Sequence, residues 1–199
     1  MFYASRYYPP GLSIVFNTIP YSIDIFRKDL QTGDTICCST NSAGQVGSNT
    51  SRYPEISADG RYVVFESTAS NLVANDANRL SDIFRKDLQT GDIVRCSTDA
   101  SGQEADSSSY DPALSADGRY AAFRSRATNL IAGGTNGHQQ IYRKDLQTGD
   151  IVRCSTDTAG QEGNIYSYNP ALNADGSYVA FYSYATNLVL ADTNGTSDV

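Results

Sequence analysis

The sequence predicts an all-β chain built of four-stranded antiparallel units, the blades of a β-propeller. Three observations predict it. First, Asp24-Ile-Phe-Arg-Lys-Asp-Leu-Gln-Thr-Gly-Asp34 recurs from Asp82, and again as Gln140-Ile141-Tyr142 followed by the same eight residues. Copies therefore begin at residues 24, 82 and 140 with a constant period of 58, and a fixed period of this length marks a repeat architecture. Second, every copy holds two turn signals between short apolar runs, Ala-Asp-Gly and Gln-Thr-Gly-Asp. Third, no window sustains apolar residues at helical spacing, because Gly, Asn, Asp and Ser interrupt at short intervals. A parallel β-helix is the competing solenoid, but its shorter coils hold no pair of tight hairpins.

The middle copy gives the elements in order. Pro112 to Ser115 is the first strand, and Asp117-Gly118 turns the chain into Tyr120 to Phe123, the second. A loop from Arg124 to Gln139 leads to the third strand, Ile141 to Leu146. Thr148-Gly149 then turns it into the fourth, Ile151 to Ser155. Another polar loop, Asp157 to Tyr168, precedes the next first strand at Pro170. Runs such as Tyr62-Val63-Val64-Phe65 are apolar on both faces, as a sheet sandwiched between neighbours requires. Arg85 to Asp99 is identical to Arg143 to Asp157, including Lys, Gln and Thr that packing does not dictate, so the copies reflect recent duplication or design.

The pattern Pro-x-x-Ser-x-Asp-Gly-Arg-Tyr-x-x-Phe, with Asp-Ile-Phe-x-x-Asp-Leu-x-Thr-Gly after it, resembles the TolB-like propeller repeat family. Pro54, Ser57, Asp59, Gly60, Arg61, Tyr62 and Phe65 carry the resemblance, as do Pro112, Ser115, Asp117, Gly118, Arg119, Tyr120 and Phe123. The third copy departs from it at Asn173 and Ser177. The resemblance covers nearly everything after Asp24. It implies the fold and an extracytoplasmic setting, while such propellers serve both as binding platforms and as domains attached to enzymes.

The expected organisation is a degenerate half-blade over 1–23 and propeller repeats over 24–199. Leu12 to Thr18 resembles Tyr62 to Thr68, and Asp198-Val199 matches the start of a third strand. About three and a half repeats do not close a ring of four to eight blades. The expected partner is a second copy, a homodimer completing six or seven blades.

Composition narrows the partners. A net charge of −7 disfavours nucleic acid, whose phosphates need clustered cations. No apolar run approaches the ~20 residues of a membrane-spanning helix, and Met1 to Thr18 lacks the features of a signal peptide. Cys38, Cys96 and Cys154 occupy one repeat position, too far apart to bridge, and Cys37 and Cys38 point to opposite strand faces. Free structural thiols are expected.

Alternating strands place both tight turns on one side of the ring and both long loops on the other. Long loops on a rigid scaffold are where binding resides. There, Asp76-x-Asn78-x-x-x-Asp82 recurs as Asp192-x-Asn194-x-x-x-Asp198, oxygen donors of the kind Ca2+ takes. Gly134, Asn136 and Gln140 break the pattern in the middle copy. The same residues also serve as turn caps, and both readings stand. His138 is the single histidine and has no repeated partner for acid–base work. No Gly-x-Ser-x-Gly elbow exists, so no catalytic residue is assigned. Tyr53, Tyr110, Tyr166 and Tyr168 suggest aromatic platforms or strand-entry packing. The expected function is a non-enzymatic scaffold that binds a protein or carbohydrate on its long-loop face. The alternatives are a glycan-binding lectin using Gln45, Gln103 and Gln161, and a fragment of a propeller hydrolase or lyase.

Overall fold

The computed structural model describes residues 22–190. Strands β1 (Phe26–Lys28) and β2 (Thr35–Cys37) form a hairpin. Strands β3 (Ser51–Ile56), β4 (Tyr62–Ser67), β5 (Asp82–Asp87) and β6 (Ile93–Arg95) make a four-stranded antiparallel sheet in sequence order. So do β7 (Ser109–Leu114), β8 (Tyr120–Ser125), β9 (Gln140–Asp145) and β10 (Ile151–Arg153), and β11 (Ser167–Leu172) pairs with β12 (Val179–Ser183). The first strands β3, β7 and β11 run against one another, so the sheets fan outward from a shared inner row. These are propeller blades, and the described sheets do not close into a ring. No helix occurs among the described residues.

Local chemistry sets the hairpins. Gly60, Gly118 and Gly176 hold φ of 72°, 73° and 69°, the left-handed backbone that glycine adopts without cost. Beside them the Ser57 hydroxyl donates to Asp59 Oδ1 at 2.7 Å and accepts the Tyr62 N–H at 2.8 Å, and Ser115 repeats both contacts. At the second turn, Asp87 Oδ1 accepts the Gln89 N–H at 2.9 Å while Arg61 clamps the same carboxylate. The first strand starts three residues earlier than the sequence suggests, at Ser109. Pro112 lies where the register shifts between Tyr110 and Ala113, a bulge that asks nothing of its missing N–H. The half-blade expected at the N-terminus lies outside the described residues but for its last two positions, and the repeat of the Asp/Asn pattern at Asp192, Asn194 and Asp198 lies wholly outside them.

The core sits between blades rather than within them. Val64, Ile83 and Cys96 of one sheet pack with Ala121, Phe123 and Tyr142 of the next. Phe65 and Phe84 pair at 6.1 Å between ring centroids, and Phe123 and Tyr142 at 6.0 Å. Each such buried ring stabilises by roughly 1.5–3 kcal/mol. None of the four cysteines forms a disulfide, and burial pushes the Cys96 thiol up to about 12 and those of Cys38 and Cys154 to about 11.

Polar staples join successive blades at a fixed offset. Lys86 Nζ, on buried β5, donates to Thr40 O and Asn41 O of the preceding blade, both at 3.0 Å, and to Gly91 O at 2.6 Å. Lys144 repeats the reach to Thr98 O and Asp99 O. In the other direction Arg85 Nη1 donates to Gly118 O at 2.6 Å, and Arg143 to Gly176 O at 2.6 Å. The Tyr62 ring lies between the Arg61 and Arg85 guanidiniums, 4.8 and 4.6 Å from its centroid.

Candidate functional site

Two places on the long-loop side carry chemistry beyond the scaffold. The first is the inner rim, where β3, β7 and β11 begin. Each of these strands bulges at one repeat position, and the residue there takes positive φ although none is glycine: Tyr53 at 52°, Asp111 at 52° and Asn169 at 46°. Such backbone is costly outside glycine and turns side chains out of the ladder pattern. Asp111, so turned, accepts from Arg124 Nε at 2.5 Å. The same guanidinium lies 4.7 Å from the Tyr110 ring and 5.3 Å from Tyr168 on the next blade. Tyr168 stacks on Tyr182 at 5.3 Å and meets Tyr184 edge-on at 6.2 Å. Arg126 covers Tyr166 at 5.0 Å, and His138 abuts the same ring edge-on at 4.8 Å. On the preceding blade Glu66, paired across strands with Arg52, is held above the usual carboxylate range by burial.

This strip is where the copies differ. Along the second strand Phe65, Ser67 and Ala69 recur as Phe123, Ser125 and Ala127, and as Phe181, Ser183 and Ala185. Between them stand Glu66, Arg124 and Tyr182, then Thr68, Arg126 and Tyr184. Positions facing the blade core repeat, and the alternating rim positions hold a different residue in every copy.

The second place is a buried acidic centre. Asp76, Asp82 and Glu104 bring carboxylate oxygens within 4.8 Å of one another. Asp82 heads β5 at 0% exposure, and its Oδ1 accepts from Ser97 Oγ at 2.5 Å. Its Oδ2 has no hydrogen-bond donor and faces Arg95 Nη1 at 3.5 Å. Arg95, with 7% of its side chain exposed, also pairs with Glu104, and its Nη2 donates to Asn75 O at 3.3 Å. Asp76 Oδ1 is buried without a donor. Burial pushes the Asp82 carboxyl up to about 7, and raises Asp76 as well.

The structure thus brings Asp76 and Asp82 together and adds Glu104, which arrives 22 residues after Asp82 from the loop that follows β6. Asn78 caps the turn, accepting the Leu80 N–H at 2.7 Å and donating to Ala105 O at 2.9 Å. Of the tyrosines expected in loops, Tyr53, Tyr110 and Tyr168 lie in first strands. Gln45, Gln103 and Gln161 are exposed, each in the loop between a fourth strand and the next first strand.

No family model matches the sequence, and no curated protein matches it. Solved structures do. TolB from Acinetobacter baumannii is 24% identical, with a TM-score of 0.48 over 82% of this chain and 32% of that one. A putative TolB from Agrobacterium tumefaciens is 20% identical, with a TM-score of 0.49 over 84% and 51%. Kuenenia stuttgartiensis hydrazine synthase is 17% identical, with a TM-score of 0.44 over 82% and 44%. The chain spans about a third to a half of the length of the structures it matches.

Proposed function

We propose that this chain is a non-enzymatic propeller scaffold that binds an extended protein segment across the inner rim of its long-loop face. One observation carries this reading. The rim positions differ from copy to copy while the scaffold around them repeats, so the blades contribute unlike groups to one composite surface. Glu66, half-buried beside Arg52, offers an acidic end, the Asp111–Arg124 pair a polar middle, and Tyr168, Tyr182 and Tyr184 an aromatic end. A peptide with a cationic and an apolar residue some way apart matches that gradient. A repeated lectin site needs the same residue on every blade, which Gln45, Gln103 and Gln161 supply and the rim does not.

The test is a displayed random-peptide library selected on the full chain, alongside a printed glycan array. Selected peptides should lose at least tenfold in affinity on Tyr168→Ala or Tyr184→Ala and be unaffected by Val152→Ser on an outer strand. Peptide binding indifferent to the rim variants would overturn the rim as the site, and glycan binding abolished by Gln103→Ala would decide for the lectin.

A further inference from the structure

Arg95 has more acid around it than it can balance. The next copy shows what a balanced centre looks like. There Arg153 pairs with Glu162 at 2.7 Å, and the positions of Asp76 and Asp82 hold Gly134 and Gln140. The Gln140 amide is bonded at both ends, donating to Gly163 O at 2.8 Å and accepting from Ser155 Oγ at 2.6 Å. One glutamate is therefore enough for the arginine, and Asp76 and Asp82 are surplus to it. Asp82 is wholly buried, and its Oδ2, turned into the cluster, accepts no hydrogen bond and has only the Arg95 guanidinium, already paired with Glu104, at 3.5 Å. A buried carboxylate in that position calls for a cation.

We propose that Asp76, Asp82 and Glu104 hold one divalent cation, Ca2+, with Arg95 as a built-in partial counter-charge. Three carboxylates against one guanidinium leave two negative charges, which one divalent ion cancels. The donors are all carboxylate oxygens, the hard ligands that Ca2+ prefers. Oxygens on one Ca2+ at about 2.4 Å lie at most about 4.8 Å apart, and these three meet that limit. Asp76 belongs to the long loop before β5, Asp82 to β5 itself, and Glu104 to the loop after β6. The ion would tie both long loops of this blade to its third strand, beside the rim.

The test uses the full chain, stripped with chelator and titrated with Ca2+ at pH 8 by calorimetry, with melting followed in parallel. The next copy supplies the control: Asp76→Gly with Asp82→Gln installs residues that already fold at Gly134 and Gln140. The wild type should bind Ca2+ and melt higher with it, and the double variant should lose one molar equivalent of binding. Glu104→Gln should weaken binding at the same site at least tenfold, which tests the third ligand independently. Superimposable isotherms for wild type and double variant, or no Ca2+ heat in the wild type, would show that Asp82 is met by a proton and Arg95 alone.

Discussion

A β-carbon on Gly118 would lie 2.2 Å from the Tyr62 ring of the preceding blade, on a backbone of positive φ. Gly102 has positive φ too, but a β-carbon there meets nothing within 4 Å. Gly102→Ala should therefore cost about 1 kcal/mol from backbone strain, and Gly118→Ala clearly more, as a larger drop in melting temperature. Asp87 offers a second test at this scale. The Arg61 fork holds its carboxyl down to about 2 against an ordinary 3.8, so folding is favoured by its ionised form. That stability is fully present above pH 3.8 and is lost as pH falls towards 2. Arg61→Met should flatten the acid limb of the stability curve in this window, and urea midpoints between pH 2 and pH 5 measure it. The turn residues were legible in the sequence because Asp-Gly and Thr-Gly act through their own backbone. Asn78 was legible only in part: an oxygen donor near two aspartates suits a ligand or a cap, and neighbouring N–H groups decide which.

Blades hold together through elements that reach outward. Lys86 carries three carbonyl bonds from β5, two of them into the preceding blade. Replacing it with Met keeps the stem but leaves those acceptors without a donor. The expected loss is about 1–3 kcal/mol in urea unfolding, the cost of leaving the buried Thr40 carbonyl without a donor, since the Asn41 and Gly91 carbonyls are only partly buried. Lys86→Arg should recover only part of it, since a planar fork does not converge on three carbonyls as an ammonium does. The strands themselves were readable from apolar runs and turn spacing. The bulges of β3, β7 and β11 were not: Asp and Asn tolerate a left-handed backbone, as Asp111 and Asn169 show, but Tyr53 does not announce one, and a bulge depends on how the partner strand pairs. Glu104 was missed for a related reason. It joins Asp76 through the closure of the blade, and no linear spacing announces that.

At the scale of the molecule, the last described sheet presents a face that earlier sheets cover. Tyr62 and Tyr120 are each capped by the glycine turn of the following blade, whereas Tyr178 at the same repeat position is 75% exposed. On β1, Phe26 is 60% exposed where Phe84 and Tyr142 are fully buried. We propose a second copy of the chain as the cover, and light scattering should then give twice the monomer mass. Tyr178→Asp should return it to one chain, and a wild-type monomer at high concentration would rule the dimer out. The staples have a consequence for ancestry as well. Lys144 and Arg143 find their acceptors in the neighbouring blades at the same offsets as Lys86 and Arg85. An unequal crossover within the identical stretch would add or drop 58 residues and leave every junction already matched. Gene copies of this protein should thus vary in length by whole blades, each variant folding at once without compensating change.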